Sequence, residues 1–209
     1  NKKVVWLLGH SYIRRAGERA AVRKGGMQLG FPEDQVSIRW FGVGGLLWPG
    51  VMDKACSLSA AEGNPNVLVL HAGGNDMGVI SQRDLVRAMK QDVDKLRSFF
   101  QGVVIVWSEM VGRLVWRWAR DRDAMERSRQ KLNKLLSAFI RHSGGIVGRH
   151  KVLESCMPGH YCRDGVHLSA VGTDIFKLGL TVGLEGPFAW GWGARQDEDS
   201  SRTPMAEDW

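Results

Sequence analysis

Short runs rich in Val, Ile, Leu and Trp alternate along this chain with longer stretches whose apolar residues recur at helical spacing. That alternation is the sequence mark of a parallel sheet covered by helices. The predicted strands are 3–8, 35–40, 66–71, 102–107 and 150–153. Several are nearly continuous in apolar residues, as expected for strands buried on both faces. Between them Leu85, Val86, Met89, Val93, Leu96, Phe99 and Phe100 recur at helical spacing, with Arg87, Lys90, Asp94 and Lys95 on the other side. Leu132, Leu135, Leu136, Phe139 and Ile140 mark a second helix, ended by Ser143-Gly144-Gly145. Further helices are predicted over 12–23 and 170–184.

The 209 residues, 44% hydrophobic and 24% charged, suit one globular domain with a single core. Apolar runs such as 67–70 and 103–107 fall far short of the roughly 20 residues a membrane-spanning helix needs. The apolar stretch after Lys3 is shorter than the core of a secretory signal, and the chain opens on Asn1, as a domain cut from a longer chain would. Beyond Pro187 the periodicity stops, and 193–209 is polar and charged, which predicts a flexible tail. Cys56, Cys156 and Cys162 are odd in number and lack C-x-x-C spacing, which argues against a disulfide framework and for a reducing, intracellular setting. Cys156, His160 and Cys162 lie close together but match no standard zinc spacing, so no metal or other cofactor is expected.

The net charge is +7 and spread along the chain, densest from Arg113 to Lys134, where Trp116 and Trp118 interleave with arginines. Arginines beside exposed aromatics can hold a nucleic-acid strand by phosphate contacts and stacking. A solvated helix face partly balanced by Asp121, Asp123 and Glu126 explains the same residues.

Ligands of open parallel sheets bind beyond the carboxyl ends of the strands, so chemistry is sought in the loops that follow them. Gly9-His10-Ser11 follows the first predicted strand, Gly42-Val43-Gly44-Gly45 the second and Gly73-Gly74-Asn75-Asp76 the third, while Asp164-Gly165-Val166-His167 precedes the last helix. Singly these are ordinary: Ser11 suits an N-cap, the glycines a tight turn, Asn75 and Asp76 a further cap. Together they hold the groups acyl transfer requires, namely a nucleophile, a base, an orienting carboxylate and oxyanion donors.

In these four blocks, in this order between about Val4 and Leu180, the chain resembles the SGNH or GDSL-type hydrolases. The resemblance implies a flavodoxin-like three-layer α/β/α sandwich with a five-stranded parallel sheet in the order 2-1-3-4-5. It spans residues 1–188 as one hydrolase-like domain, with 189–209 as the tail. Carried over by position, Ser11, Asp164 and His167 become the catalytic triad, and Ser11, Gly45 and Asn75 the oxyanion hole. One departure stands out: His10 occupies the place where the family usually has Asp, and Tyr12 that of the following Leu. A Gly-His-Ser first block resembles the hydrolase-like domains of some animal retrotransposons and genes derived from them.

The expected function is serine esterase, acting on a small-molecule, lipid or sugar ester that the sequence does not name. The alternative is a catalytically impaired module of the same fold that binds nucleic acid through the Arg113–Lys134 stretch. Two roles are open for His10. A proton gained near pH 6.5 would oppose the His167 imidazolium, confining activity to mildly alkaline pH. Otherwise the ring simply packs or hydrogen-bonds locally.

Overall fold

The computed structural model describes residues 1–189. In chain order the elements are β1 (Lys3–Gly9), α1 (Ser11–Ala21), β2 (Val36–Gly42), α2 (Pro49–Glu62), β3 (Val67–His71), α3 (Gln82–Phe99), β4 (Val104–Ser108), α4 (Arg122–His142), β5 (Ile146–Gly148) and α5 (Ala170–Ala189). The strands form one sheet in the order β2-β1-β3-β4-β5, every pair parallel.

Side chains of β1 alternate between two cores, as a pleated strand requires. Trp6 and Leu8 join Val51 and Leu58 of α2, Met89 of α3 and Leu136 of α4 on one face. Val5 and Leu7 join Ile13 of α1 and Phe176 and Leu180 of α5 on the other. The result is the expected three-layer sandwich. The starts of α3 and α4 are capped by side chains: Ser81 accepts from the Asp84 N–H ahead of α3, and Asp121 from Asp123 and Ala124 ahead of α4.

Two boundaries differ from expectation. The fifth strand is Ile146–Gly148, paired with Val106–Ser108, whereas 150–153 turns into a short 3-10 segment over Lys151–Ser155. Leu153 made that stretch look strand-like, but its burial comes from packing in the α5 core. The last helix runs on to Ala189, past the predicted end, because Phe188 packs on Phe31 with ring centroids 5.4 Å apart. Apart from Ala189, the expected tail at 189–209 lies outside the described residues. Among the described residues no helix is long and apolar enough to cross a membrane.

Candidate active site

At the carboxyl end of β1 the chain turns at once from Gly9 into α1, with Ser11 as its first residue. Close backbone approach demands glycine here. A Cβ on Gly9 would lie 2.1 Å from the His71 carbonyl oxygen, and one on Gly42 2.1 Å from the Arg14 nitrogen. The cap of α1 is His10, not Ser11: its Nδ1 accepts the Tyr12 N–H at 3.3 Å. The capping role that competed for Ser11 is thus filled by its neighbour, and among the described residues the Ser11 hydroxyl makes no hydrogen bond. As the first helical residue, Ser11 also carries an N–H with no acceptor inside the helix.

His10 is 2% exposed, edge-on to Tyr12 and to His71 with centroids 4.9 Å apart in each case. Burial, then the charges of Arg113 and His167, push its pKa down to about 3. The ring stays neutral through the working range, so the structure corrects the expectation that its protonation sets the acid limit. Of the two roles open for His10, the structure takes local packing and capping.

Asp164 and His167 are in contact, with Oδ2 and Nδ1 2.6 Å apart. The other carboxylate oxygen, Oδ1, accepts the Val166 and His167 N–H groups at 2.9 Å each. Burial raises the Asp164 pKa, but these hydrogen bonds outweigh it and hold the carboxyl at about 2. The Tyr12 hydroxyl donates to the Val166 carbonyl, tying the first turn of α1 to the residue before His167.

The loops after β2 and β3 are stitched to each other. Asp76, almost fully buried, accepts the Trp48 N–H with both oxygens at 3.1 and 2.9 Å, and Asn75 Nδ2 donates to the Leu46 carbonyl at 3.1 Å. Burial pushes the Asp76 carboxyl up to about 6 in spite of the Trp48 N–H. Gly45 between them has φ +72°, and a Cβ there would meet nothing within 4 Å, so this peptide borders open space. Arg113 Nη2 donates to Asn75 Oδ1 at 3.1 Å, which fixes the amide's orientation. One Nδ2 hydrogen goes to Leu46, and the second is left over.

Ser11, in the first turn of α1, and Gly45, Asn75 and the Asp164–His167 pair, in the connecting segments, therefore all sit at the carboxyl edge of the sheet. No hydrogen bond joins Ser11 to His167, although such contacts often tighten only when substrate is bound. Sequence reasoning missed Arg113, Tyr12 and Asp76 as supports. A lone arginine inside the apolar run Met110-Val111-Gly112-Arg113-Leu114-Val115, just past a strand end, was the available signal.

It also missed a second serine among imidazoles. Ser108 Oγ lies 3.0 Å from His71 Nδ1 and 2.7 Å from His150 Nε2. Burial pushes the His150 pKa down to about 3 and that of His71 well below the usual value. His150 Nδ1 has no partner, and among the described residues no carboxylate pairs with either ring. Ser108 and His71 close the strands β4 and β3, so only the sheet brings them together.

The basic stretch is partly buried and partly exposed. Arg113 and Arg129 are buried, Arg129 against Glu126 at 2.8 Å, and Trp116 is buried while Trp118 is exposed. Arg117, Arg120, Arg122, Arg127, Lys131 and Lys134 remain outside. Among the described residues no group of three or more His, Cys, Asp or Glu is placed to hold a metal ion.

No family model and no curated protein matches the chain. Solved structures do. A GDSL-like lipase from Bacteroides thetaiotaomicron superposes with TM-score 0.67 at 16% identity, over 89% of this chain and 89% of its own. An acetyl xylan esterase, AlAXEase, gives 0.69 at 14%, over 86% and 98%. A lipase/acylhydrolase from Enterococcus faecalis gives 0.65 at 14%, over 88% and 96%. None of this bears on the finer resemblance to retrotransposon domains, which rests on the first block alone. In fold the chain is similar to these solved GDSL-type lipolytic enzymes.

Proposed function

We propose that this protein is a serine esterase working through Ser11, His167 and Asp164. The observation that carries the reading is the Asp164–His167 pair at the carboxyl edge of the sheet. With Nδ1 held by an ionised carboxylate, Nε2 is the ring nitrogen left to act as base, and Tyr12 anchors the pair's loop to the helix that begins at Ser11. His167 takes the Ser11 Oγ proton as Oγ bonds to the ester carbonyl carbon. Asp164 stabilises the imidazolium formed. The tetrahedral oxyanion is met by the Ser11 and Gly45 N–H groups and by the second Nδ2 hydrogen of Asn75. His167 then returns the proton to the departing alcohol, and water activated by the same imidazole releases the acid from the acyl-enzyme.

Ser108 is a poorer candidate. It is 1% exposed against 9% for Ser11, and it is enclosed by His71 and His150. Hydrolysis of a short p-nitrophenyl ester by the native chain and by Ser11→Ala tests the proposal. Turnover is expected for the first and only background for the second; equal rates contradict it.

A further inference from the structure

A groove of about 600 Å3 runs beside the proposed site, between α1 and the segments flanking His167. Arg14, Arg15, Glu18, Arg19, Cys162 and Leu168 are among its walls. Arg14 and Arg15 stand one turn beyond Ser11 on the same helix. Their charges are not spent as those of their neighbours are. Arg19 holds Asp174 at 3.0 and 2.9 Å, and Arg23 reaches the same carboxylate at 2.8 Å. Among the described residues Arg14 and Arg15 form no ion pair, Arg15 touching only the Cys162 sulfur at 3.9 Å. The Arg14 guanidinium overhangs the second block, with Nη2 3.9 Å from where a Gly44 Cβ would lie.

A second, independent feature has the same sign. Arg113 is 7% exposed, donates to the Asn75 side chain, and lies over the Trp116 ring at 5.0 Å and the Tyr12 ring at 5.9 Å. Among the described residues no carboxylate pairs with its side chain. Desolvating a guanidinium without a counter-charge is costly. Unpaired surface arginines need no explanation, but a buried one beside Asn75, outside the groove yet in the proposed oxyanion hole, does. Negative charge on a bound substrate offsets it at longer range.

Resting on the reading of Ser11 as nucleophile, we infer that the ester carries a fixed anionic group, phosphate or carboxylate, which Arg14 and Arg15 hold in the groove beside His167. Guanidinium forks suit either anion through paired hydrogen bonds. Arg113 adds a positive field at the ester end.

The test is binding of ether analogues, which cannot be hydrolysed, so it reads out whatever the nucleophile is. Hexyl glycerol ether 3-phosphate, the matching glyceric acid ether and the uncharged hexyl glycerol ether are titrated calorimetrically into the full chain at low and at raised salt. At least one charged analogue is expected to bind about tenfold or more tightly than the uncharged one, an advantage that shrinks with salt. Which of the two does so identifies the anion. In Arg14→Gln/Arg15→Gln the advantage is expected to vanish, and in Arg14→Glu, a change at an exposed helical position, to fall sharply. Equal affinity for all three analogues overturns the inference. So does a preference that survives the double substitution. Neither result touches the esterase proposal, which fails only if Ser11→Ala keeps native turnover on a neutral ester.

Discussion

Ser11 and Ser108 both stand beside imidazoles near the carboxyl edge of the sheet, one after β1 and the other closing β4. Around Ser11 the partners reach solvent: the His167 side chain is 30% exposed and that of Asp164 48%. Around Ser108 they do not, with His71 1% and His150 6% exposed. His167 has a carboxylate on Nδ1, whereas the buried rings share one hydroxyl and have none. The same residue types thus build two different objects. One is an accessible imidazole held by a carboxylate, the arrangement the proposed mechanism uses, while the other is a pair of neutral imidazoles packed around a hydroxyl. Proximity of serine and histidine is a weak guide to catalysis unless access and an orienting acid come with it.

The contrast is broken or sharpened first by kinetics. Ser11→Ala is expected to lower kcat for ester hydrolysis by about 10⁶-fold, while Ser108→Ala leaves it nearly unchanged. Asp164→Asn keeps an acceptor for the loop N–H groups but misorients His167, and a loss of about 10⁴-fold is expected in steady-state assays. Asn75→Ala, which removes one proposed oxyanion donor and frees Arg113 Nη2, is expected to cost about 10²- to 10³-fold in kcat. Either variant at native turnover would remove its residue from the mechanism.

The buried cluster is tested through stability. His10, His71 and His150 bind protons more weakly folded than unfolded, since burial lowers all three pKa values. Their contribution is therefore complete above about pH 6.5 and is lost as pH falls. With folded values of about 3, His10 and His150 each cost about 2 kcal/mol by pH 5. Asp76, raised to about 6, works in the opposite sense: its protonation favours the folded state as pH falls from about 6 towards its ordinary range. It offsets part of the loss. Urea midpoints are expected to drop from pH 7 to pH 5, and a flat profile contradicts neutral burial of the histidines. Smallest is Ser108→Ala, which leaves His150 Nε2 unpaired while His71 Nδ1 keeps the residue 108 carbonyl, and is expected to lower stability by about 1–3 kcal/mol in urea titration at pH 7.

Much of this architecture was legible in the chain. Continuous apolar runs such as Val67–His71 and helical spacing such as that of Leu85, Met89 and Val93 reflect burial on known faces, and the motif blocks fall on strand ends because that is where loops meet. Local pattern failed where tertiary contact decides. Leu153 is apolar because α5 covers it, not because it lies in a strand, and Phe188 extends a helix by packing on Phe31. The buried serine–histidine cluster and the supports of the site were hidden for the same reason. His71, Ser108 and His150 are far apart in sequence, and Arg113 reaches Asn75 only because β3 and β4 are neighbours.

Labelling with a fluorophosphonate probe tests most directly the claim that Ser11, whose partners reach solvent, rather than the enclosed Ser108, is the nucleophile. The native chain and Ser108→Ala are expected to be labelled alike, with the adduct on Ser11 by peptide mass spectrometry, and Ser11→Ala not at all. An adduct on Ser108, or labelling that persists in Ser11→Ala, contradicts the account.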